Sequence, residues 1–265
     1  MTVTAKFIDG GRGKILITIH EPSAGTDHAI VVLPAFGDEM NKSRRLVWST
    51  AKRLADKGYL VVVPDLFGTG DSEGHFADAN WETWILDLRS AIDWARTRGA
   101  TKISALAVRF GATFLSSMSG FVAFERVVSW QPVANGSEVL RDMIRVKSLN
   151  LRMAGHATMN AADMLHRLCN GKEPLELSGY LIGSQLATDI CSAEFSHEKL
   201  SMRDRSMVVG FRMRDDATGE EIRLARNSDQ MRLEVFVGGE RFWRVAEPGA
   251  NDELVSMTTQ FFPGV

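Results

Sequence analysis

The segment Ile103-Ser-Ala-Leu-Ala-Val-Arg-Phe-Gly-Ala-Thr-Phe114 is the part of the sequence that is most informative about the fold. It reads as an apolar strand that turns sharply into a helix, with Arg109 at the turn. Proteins that attack acyl carbons carry a G-x-S-x-G motif at such a turn, because small flanking residues let the strained backbone lift the serine oxygen above the sheet. Here the five positions read Ala107, Val108, Arg109, Phe110 and Gly111. A guanidinium stays protonated at neutral pH, so Arg109 cannot be the nucleophile.

The composition excludes several classes of protein. The chain has 265 residues, of which 45% are hydrophobic and 24% charged, as expected of one globular domain with a sizeable core. Its net charge of −2 gives no basic footprint, so we expect neither a nucleic-acid partner nor a membrane surface. No apolar run approaches the roughly 20 residues that cross a bilayer, and the N-terminus lacks a signal-peptide pattern. Cys169 and Cys191 fit neither a disulfide framework nor a metal site, which favours the reducing cytoplasm.

Strands and helices alternate along most of the chain. The β-branched runs Thr2–Ile8 and Ile15–His20 predict a hairpin. The strands predicted next are His28–Leu33, Tyr59–Val63, Lys102–Ala107 and Arg126–Trp130, and the helices between them are Lys42–Lys57, Trp81–Ala95 and Gly111–Met118. Because continuously apolar strands alternate with helices, the sequence predicts an α/β protein with a doubly wound, mostly parallel sheet.

The alternation is interrupted between residues 136 and 190. This part contains Met-rich helical segments, including Val139–Met153 and Ala157–Leu168. We interpret it as a small helical cap insertion, and residues 1–135 and 191–265 as the core. Strand and helix patterns return at Ser206–Phe211, Arg232–Val237 and Asp252–Phe262. Such a cap usually shields a small-molecule pocket from water.

Several strings resemble a known family. They are Pro34-Ala-Phe-Gly-Asp-Glu-Met-Asn-Lys-Ser-Arg-Arg45, Asp65-Leu-Phe-Gly-Thr-Gly-Asp-Ser72, Leu106-Ala-Val-Arg-Phe-Gly111, Gly179-Tyr180 and Phe242-Trp243. The order of elements looks like the α/β-hydrolase fold, and the strings are similar to the exosortase A system-associated hydrolase 2 family, found with bacterial exopolysaccharide gene clusters. The resemblance covers nearly the whole chain. It implies a hydrolase designation, a cytoplasmic location and a link to exopolysaccharide production, but no demonstrated substrate.

The residues that an α/β-hydrolase needs for catalysis are largely replaced. A base is expected after the last strand, where Gly238-Gly-Glu-Arg-Phe-Trp243 has Arg241 at the usual histidine position. All six histidines precede residue 200. Only the acid has candidates, Asp215 or the adjacent Asp216. Arginine therefore occupies both the nucleophile and the base position.

A partly buried arginine must pair with an acid or with an anionic ligand, because an uncompensated buried charge is very costly. Asp38 and Glu39, which we place in the loop after strand His28–Leu33, are the nearest expected partners. One interpretation is a structural Arg109–Glu39 ion pair that fills the old pocket. The other is that Arg109, with Lys42 and Arg44, recognises a carboxylate or phosphate.

Two functions remain open. In the first, a protein without the standard triad binds a small acyl or anionic metabolite, or a protein partner, with Arg109, Phe110, Phe36, Lys42 and Arg241 as candidate binding residues. In the second, an ester or acyl hydrolase uses activated water or another nucleophile, with Asp38, Glu39, Asp215 and His156 as candidates.

No cofactor is expected. The Gly68-x-Gly70 pair lacks the third glycine and the following helix of a dinucleotide site. Ser72, which follows this pair, is expected to stabilise its own turn rather than to act as a nucleophile.

Overall fold

The computed structural model describes residues 1–118, 120, 122–156, 159–171, 173–200, 202–211, 223–227, 230–245 and 249–265. Of these, residues 202–204, 223–227 and 230–232 are described by their backbone alone.

A nine-stranded sheet forms the centre of the molecule. The strands in chain order are β1 (Thr2–Asp9), β2 (Lys14–Glu21), β3 (His28–Leu33), β4 (Leu60–Pro64), β5 (Lys102–Val108), β6 (Phe124–Trp130), β7 (Leu175–Leu177), β8 (Tyr180–Ile182), β9 (Met202–Phe211), β10 (Arg223–Asn227) and β11 (Gln230–Val237). The helices are α1 (Asp38–Asp56), α2 (Trp81–Thr97), α3 (Phe110–Ser117), α4 (Gly136–Met153), α5 (Ala161–Asn170), α6 (Ser184–Cys191) and α7 (Asp252–Phe261).

The sheet order is β1-β2-β4-β3-β5-β6-β9-β11-β10, and β7 pairs only with β8. The strands from β4 to β11 in this order run parallel, whereas β1, β2 and β10 are joined by antiparallel pairing. The predicted mostly parallel sheet with an N-terminal hairpin is confirmed. The sequence did not predict β10, because its residues Arg-Leu-Ala-Arg-Asn lack an apolar alternation.

Two apolar cores lie on opposite faces of the sheet, and β3 contributes to both. Ile30 and Val32 pack in the core beneath α1 and α7, while Ala29 and Val31 pack in the core beneath α2 and α3. All six residues of β3 are buried, as expected for a central strand covered on both faces.

Residues 136–190 contain α4, α5, the β7–β8 hairpin and all of α6 except its last residue, Cys191. Their buried residues, such as Leu140, Leu168 and Leu186, belong to the same apolar core as α2 and α3. The hairpin was not predicted, because its three-residue strands are too short to show a period. Its two-residue turn places Ser178 and Gly179 at φ 51° and 86°, as a type I′ turn requires.

Helix α1 begins at Asp38 and not at Lys42, which corrects the predicted loop position of Asp38 and Glu39. Both acids lie in the first turn of the helix, where the positive end of its dipole favours carboxylates. Met40 is buried in the same turn and extends the apolar face of the helix. The early start of α1 holds the two carboxylates in a defined position beside the end of β3.

Candidate functional site

The turn between β5 and α3 has the strained geometry of a nucleophile elbow, with Arg109 as its single residue. Arg109 has φ 54° and ψ −118°, a region that non-glycine residues rarely occupy. A Cβ atom on Gly111 would lie 2.5 Å from the carbonyl oxygen of Pro34 and 2.6 Å from that of Leu33. The start of α3 can therefore approach the end of β3 only with glycine at this position. The elbow is retained although its usual nucleophile is replaced.

The guanidinium of Arg109 is held on three sides. Nε donates to Oε2 of Glu39 at 3.1 Å and Nη2 donates to Oε1 at 3.2 Å, so the predicted Arg109–Glu39 ion pair is present. Nη1 donates to the carbonyl oxygen of Gln131 at 2.9 Å. The guanidinium carbon lies 4.2 Å from the centre of the Trp243 ring, within the range of a cation–π interaction. Only 14% of the side chain is exposed.

Gln131 fixes the carbonyl group that binds Arg109. It follows β6 with a positive φ of 41°. Its backbone N–H donates to the carbonyl of Val209 at 2.6 Å, and its Oε1 accepts from the N–H of Phe211 at 2.8 Å. The Arg109 contact is therefore tied to β9. Nothing in the sequence indicates this role apart from the position of Gln131 at a strand end.

Burial raises the pKa of Glu39 above its ordinary value of 4.5, and the charge and hydrogen bonds of Arg109 partly oppose this effect. Both carboxylate oxygens accept hydrogen bonds from Arg109. A water molecule that used Glu39 as its base would have to compete with these bonds. The arrangement therefore favours Glu39 as the partner of Arg109 over Glu39 as a general base.

A cavity of about 470 Å³ opens beside Arg109, at the carboxyl ends of β3, β5 and β6; we call it the mouth cavity. Its lining residues come from α1, the elbow, α4, the segments after β3, β6 and β11, and the turn of the β7–β8 hairpin. They are Phe36, Asp38, Glu39, Lys42, Arg109, Val133, Glu138, Val139, Asp142, Met143, Arg145, Val146, Ser178, Trp243 and Arg244.

Most charges of the mouth cavity are paired. Lys42 binds Asp38 at 2.7 Å, and Arg145 binds Asp142 at 2.8 Å. Arg244 is exposed and forms no ion pair with any residue that the structure describes. Arg244 thus offers a charged donor group to a ligand without breaking an existing ion pair.

A second, narrow cavity of about 30 Å³ lies behind Phe36 and is lined almost entirely by apolar side chains. Phe36 lines both cavities and therefore lies between them. Its ring packs edge-on against Phe76, Trp84 and Phe110. Phe110 is 2% exposed and lines the narrow cavity but not the mouth cavity. The narrow cavity has room for about one or two water-sized groups.

The β7–β8 hairpin reaches this aromatic cluster through Tyr180. Its ring lies 5.1 Å from that of Phe76, and its hydroxyl accepts a hydrogen bond from Nδ2 of Asn41 at 2.9 Å. The resemblance had singled out Gly179-Tyr180, but the sequence did not indicate a role for this pair. Tyr180 connects residues 136–190 to α1 beside the mouth cavity.

The structure does not bring every candidate residue to the mouth cavity. Arg241 lines a separate open cavity with Gly238 and Gly239, because the chain turns after β11 before Trp243 reaches Arg109. Arg44 pairs with Asp65 at 3.2 Å, since it projects from another side of α1 than Lys42.

The remaining candidates also lie elsewhere. His156 is exposed beyond the C-terminal end of α4 and does not line the mouth cavity. Asp215 and Asp216 lie outside the described residues. Ser72 has the structural role that we predicted, because its Oγ donates to the carbonyl of Asp65 at 2.6 Å and accepts from the N–H of Leu16 at 2.8 Å.

The family model of the X-Pro dipeptidyl-peptidases (S15 family) matches residues 15–137 of the chain. No curated protein matches the chain significantly. Among solved structures, the chain is similar to Est1E from Butyrivibrio proteoclasticus, solved with bound ferulic acid, at 14% identity over 97% of each chain and a TM-score of 0.64. An alpha-beta serine hydrolase homologue from Coxiella burnetii is 13% identical over 99% of this chain and 98% of its own, with a TM-score of 0.55. Proline iminopeptidase from Mycobacterium smegmatis is 14% identical over 97% of each chain, with a TM-score of 0.55.

The chain therefore has the α/β-hydrolase fold. Across the described residues, no helix combines the length and the apolar character needed to span a membrane.

Proposed function

We propose that this protein binds a small acyl-bearing or anionic molecule in the mouth cavity without forming an acyl-enzyme. The main support for this proposal is that Glu39, Gln131 and Trp243 hold the guanidinium of Arg109 in place on the elbow. A permanently charged group that cannot be deprotonated occupies the place from which a nucleophile would attack. The elbow is then part of a binding site and does not form the usual acyl-enzyme.

The donors around the mouth cavity support an anionic group on the ligand. Arg244 has no ion-pair partner among the described residues, and Lys42 lies at the cavity with one of its N–H groups directed to Asp38. The first N–H groups of α3, before that of Ala112, have no acceptor within the helix. In active members of this fold the N–H after the nucleophile and one from the loop after β3 bind an oxyanion, and these positions correspond to Phe110 and Phe36. Of these two residues, Phe36 lines the mouth cavity.

Titration calorimetry with butyrate, and with butanol as the uncharged control ligand, tests this proposal. We expect butyrate to bind the wild type, and Arg244→Gln to weaken butyrate binding at least about 10-fold, since hydrogen bonds to charged groups contribute about 1.5–3 kcal/mol. The matched control Arg96→Gln removes a cation from the exposed face of α2, where it pairs with Asp93, and should leave binding unchanged. Equal binding of butyrate and butanol would contradict an anion site.

A second candidate function is hydrolysis of an ester or acyl bond by activated water, which the match to the S15 peptidase family favours. Among the bases that the sequence analysis named, Asp38 lines the mouth cavity with 49% of its side chain exposed. If this function holds, turnover of 4-nitrophenyl butyrate is lost in Asp38→Asn and retained in Arg109→Ser. Absence of turnover in the wild type would exclude it for short acyl esters.

We also propose that the ligand belongs to bacterial exopolysaccharide production, which the resemblance to the exosortase A system-associated hydrolase 2 family supports. A strain that lacks this chain should then secrete less polysaccharide, and the plasmid-borne wild type should restore it. Unchanged secretion in the deletion strain would contradict this link.

A further inference from the structure

A third cavity of about 340 Å³ lies on the face of the sheet that α1 covers; we call it the α1 cavity. Thr18 and His20 from β2 and Val63 from β4 form its floor, and Val47 and Trp48 from α1 form a wall. Thr18 faces Val63 across the β2–β4 pair, so the two share one face of the sheet. The elbow residue Arg109 does not line this cavity.

His20 is a buried polar group that the fold leaves unsatisfied. It is 1% exposed, and neither Nδ1 nor Nε2 has a hydrogen-bond partner among the described residues. Burial also lowers the pKa of His20, so the ring is neutral, with one donor and one acceptor nitrogen. Native proteins pair the large majority of such groups, because an unpaired buried one is destabilising. His28 shows the usual solution, with its Nε2 at 2.8 Å from the hydroxyl of Ser104.

Trp48 lies directly against His20 and is itself poorly covered. The two ring centres are 6.1 Å apart in an edge-on arrangement, and 49% of Trp48 is exposed. A half-exposed indole beside an unsatisfied imidazole is the combination of apolar surface and a few polar groups that small-molecule pockets present. Because Trp48 packs on the ring, it must turn outward for a ligand to reach the nitrogens of His20.

We propose that the α1 cavity binds a small phenol-type molecule, whose ring packs on Trp48 and whose hydroxyl forms a hydrogen bond with His20. The apolar residues of the lining, which include Val32, Met40 and Val47, fit an aromatic body, and the volume lies within the range of small-molecule sites. The charged residues Arg44 and Asp65 also line the cavity and pair with each other. A hydroxyl can donate or accept, so it can satisfy either nitrogen of the neutral ring. This site is independent of the mouth cavity and of the function proposed for it.

The test compares the affinities of phenol and toluene for wild type and His20→Leu, measured by NMR titration. The comparison uses the phenol-to-toluene affinity ratio, because the two probes differ in their transfer from water. We expect His20→Leu to lower this ratio about 10-fold, the equivalent of one hydrogen bond of about 1.4 kcal/mol. The exposed control His156→Leu should leave the ratio unchanged.

Two further measurements test whether phenol contacts His20. In protein with ¹⁵N-labelled histidine, phenol should shift the ring nitrogens of His20, and toluene should not. His20→Leu should fold at least as stably as the wild type, since it removes an unpaired polar group. An unchanged ratio in His20→Leu, or no phenol binding to the wild type at millimolar concentration, would overturn the proposal.

Discussion

The contribution of the Arg109–Glu39 pair to stability can be measured by a double-mutant cycle with Arg109→Met and Glu39→Leu. Arg109→Met leaves a buried carboxylate without its cation, and Glu39→Leu leaves a buried cation whose remaining contacts, among the described residues, are Gln131 and Trp243. Removing one partner of a fully buried pair costs about 3–5 kcal/mol. Because 14% of the Arg109 side chain and 23% of the Glu39 side chain are exposed, we expect each single variant to lower the free energy of unfolding by about 2–3 kcal/mol.

The double variant replaces two charges by apolar groups of similar size and should cost no more than about 2 kcal/mol. The coupling energy is then about 3 kcal/mol, measured by urea unfolding at pH 7.5. The exposed Arg96–Asp93 pair is the matched control, with a coupling below about 0.5 kcal/mol. A similarly small coupling for Arg109 and Glu39 would refute the structural role assigned to their contact.

The same cycle has a pH dependence whose sign follows from the raised pKa of Glu39. Its folded-state pKa lies above the ordinary value of 4.5, so the folded chain holds the proton more tightly than the unfolded chain. Stability therefore falls as pH rises from 4.5 through the folded-state pKa. Arg109→Met removes the cation that opposes this shift. Its destabilisation should be larger at pH 7.5 than at pH 4.5, and Glu39→Leu should abolish the difference.

Three further variants test other parts of the account, each by urea unfolding. Gly111→Ala should cost at least about 2 kcal/mol, because its Cβ meets backbone carbonyl groups, whereas Gly25→Ala, with open space around it, should cost no more than about 0.5 kcal/mol. Burial, and secondarily the charge of Lys102, lowers the pKa of His28 to about 4, so stability should fall by about 2 kcal/mol as pH drops from 6.5 to 5, and His28→Gln should remove this loss. Ser72→Ala should cost about 1–2 kcal/mol through its two hydrogen bonds and leave ligand binding unchanged.

The sequence predicted the fold well because the information lies in local patterns. The buried run of β3, the strand–helix switch at Arg109 and the amphipathic helices each show a period within a short window. The Arg109–Glu39 pair was also predictable. A buried guanidinium requires an acidic partner, and Asp38 and Glu39 were the nearest acids expected beside the elbow.

What the sequence could not show are contacts between distant segments. Trp243 reaches Arg109 only through the path of the chain after β11, and Gln131 binds it through a carbonyl group that any residue would carry. For the same reason Arg241 was expected at the mouth cavity, where the structure has Arg244. Tyr180 depends on a hairpin whose strands are too short to be recognised.

Intact-protein mass spectrometry after incubation with a fluorophosphonate most directly tests whether Arg109 has replaced covalent chemistry at the elbow. The wild type should keep its unmodified mass, and Arg109→Ser should also remain unmodified, because no histidine follows residue 200 to activate the serine. A stoichiometric adduct on any side chain of the mouth cavity in the wild type would contradict the account.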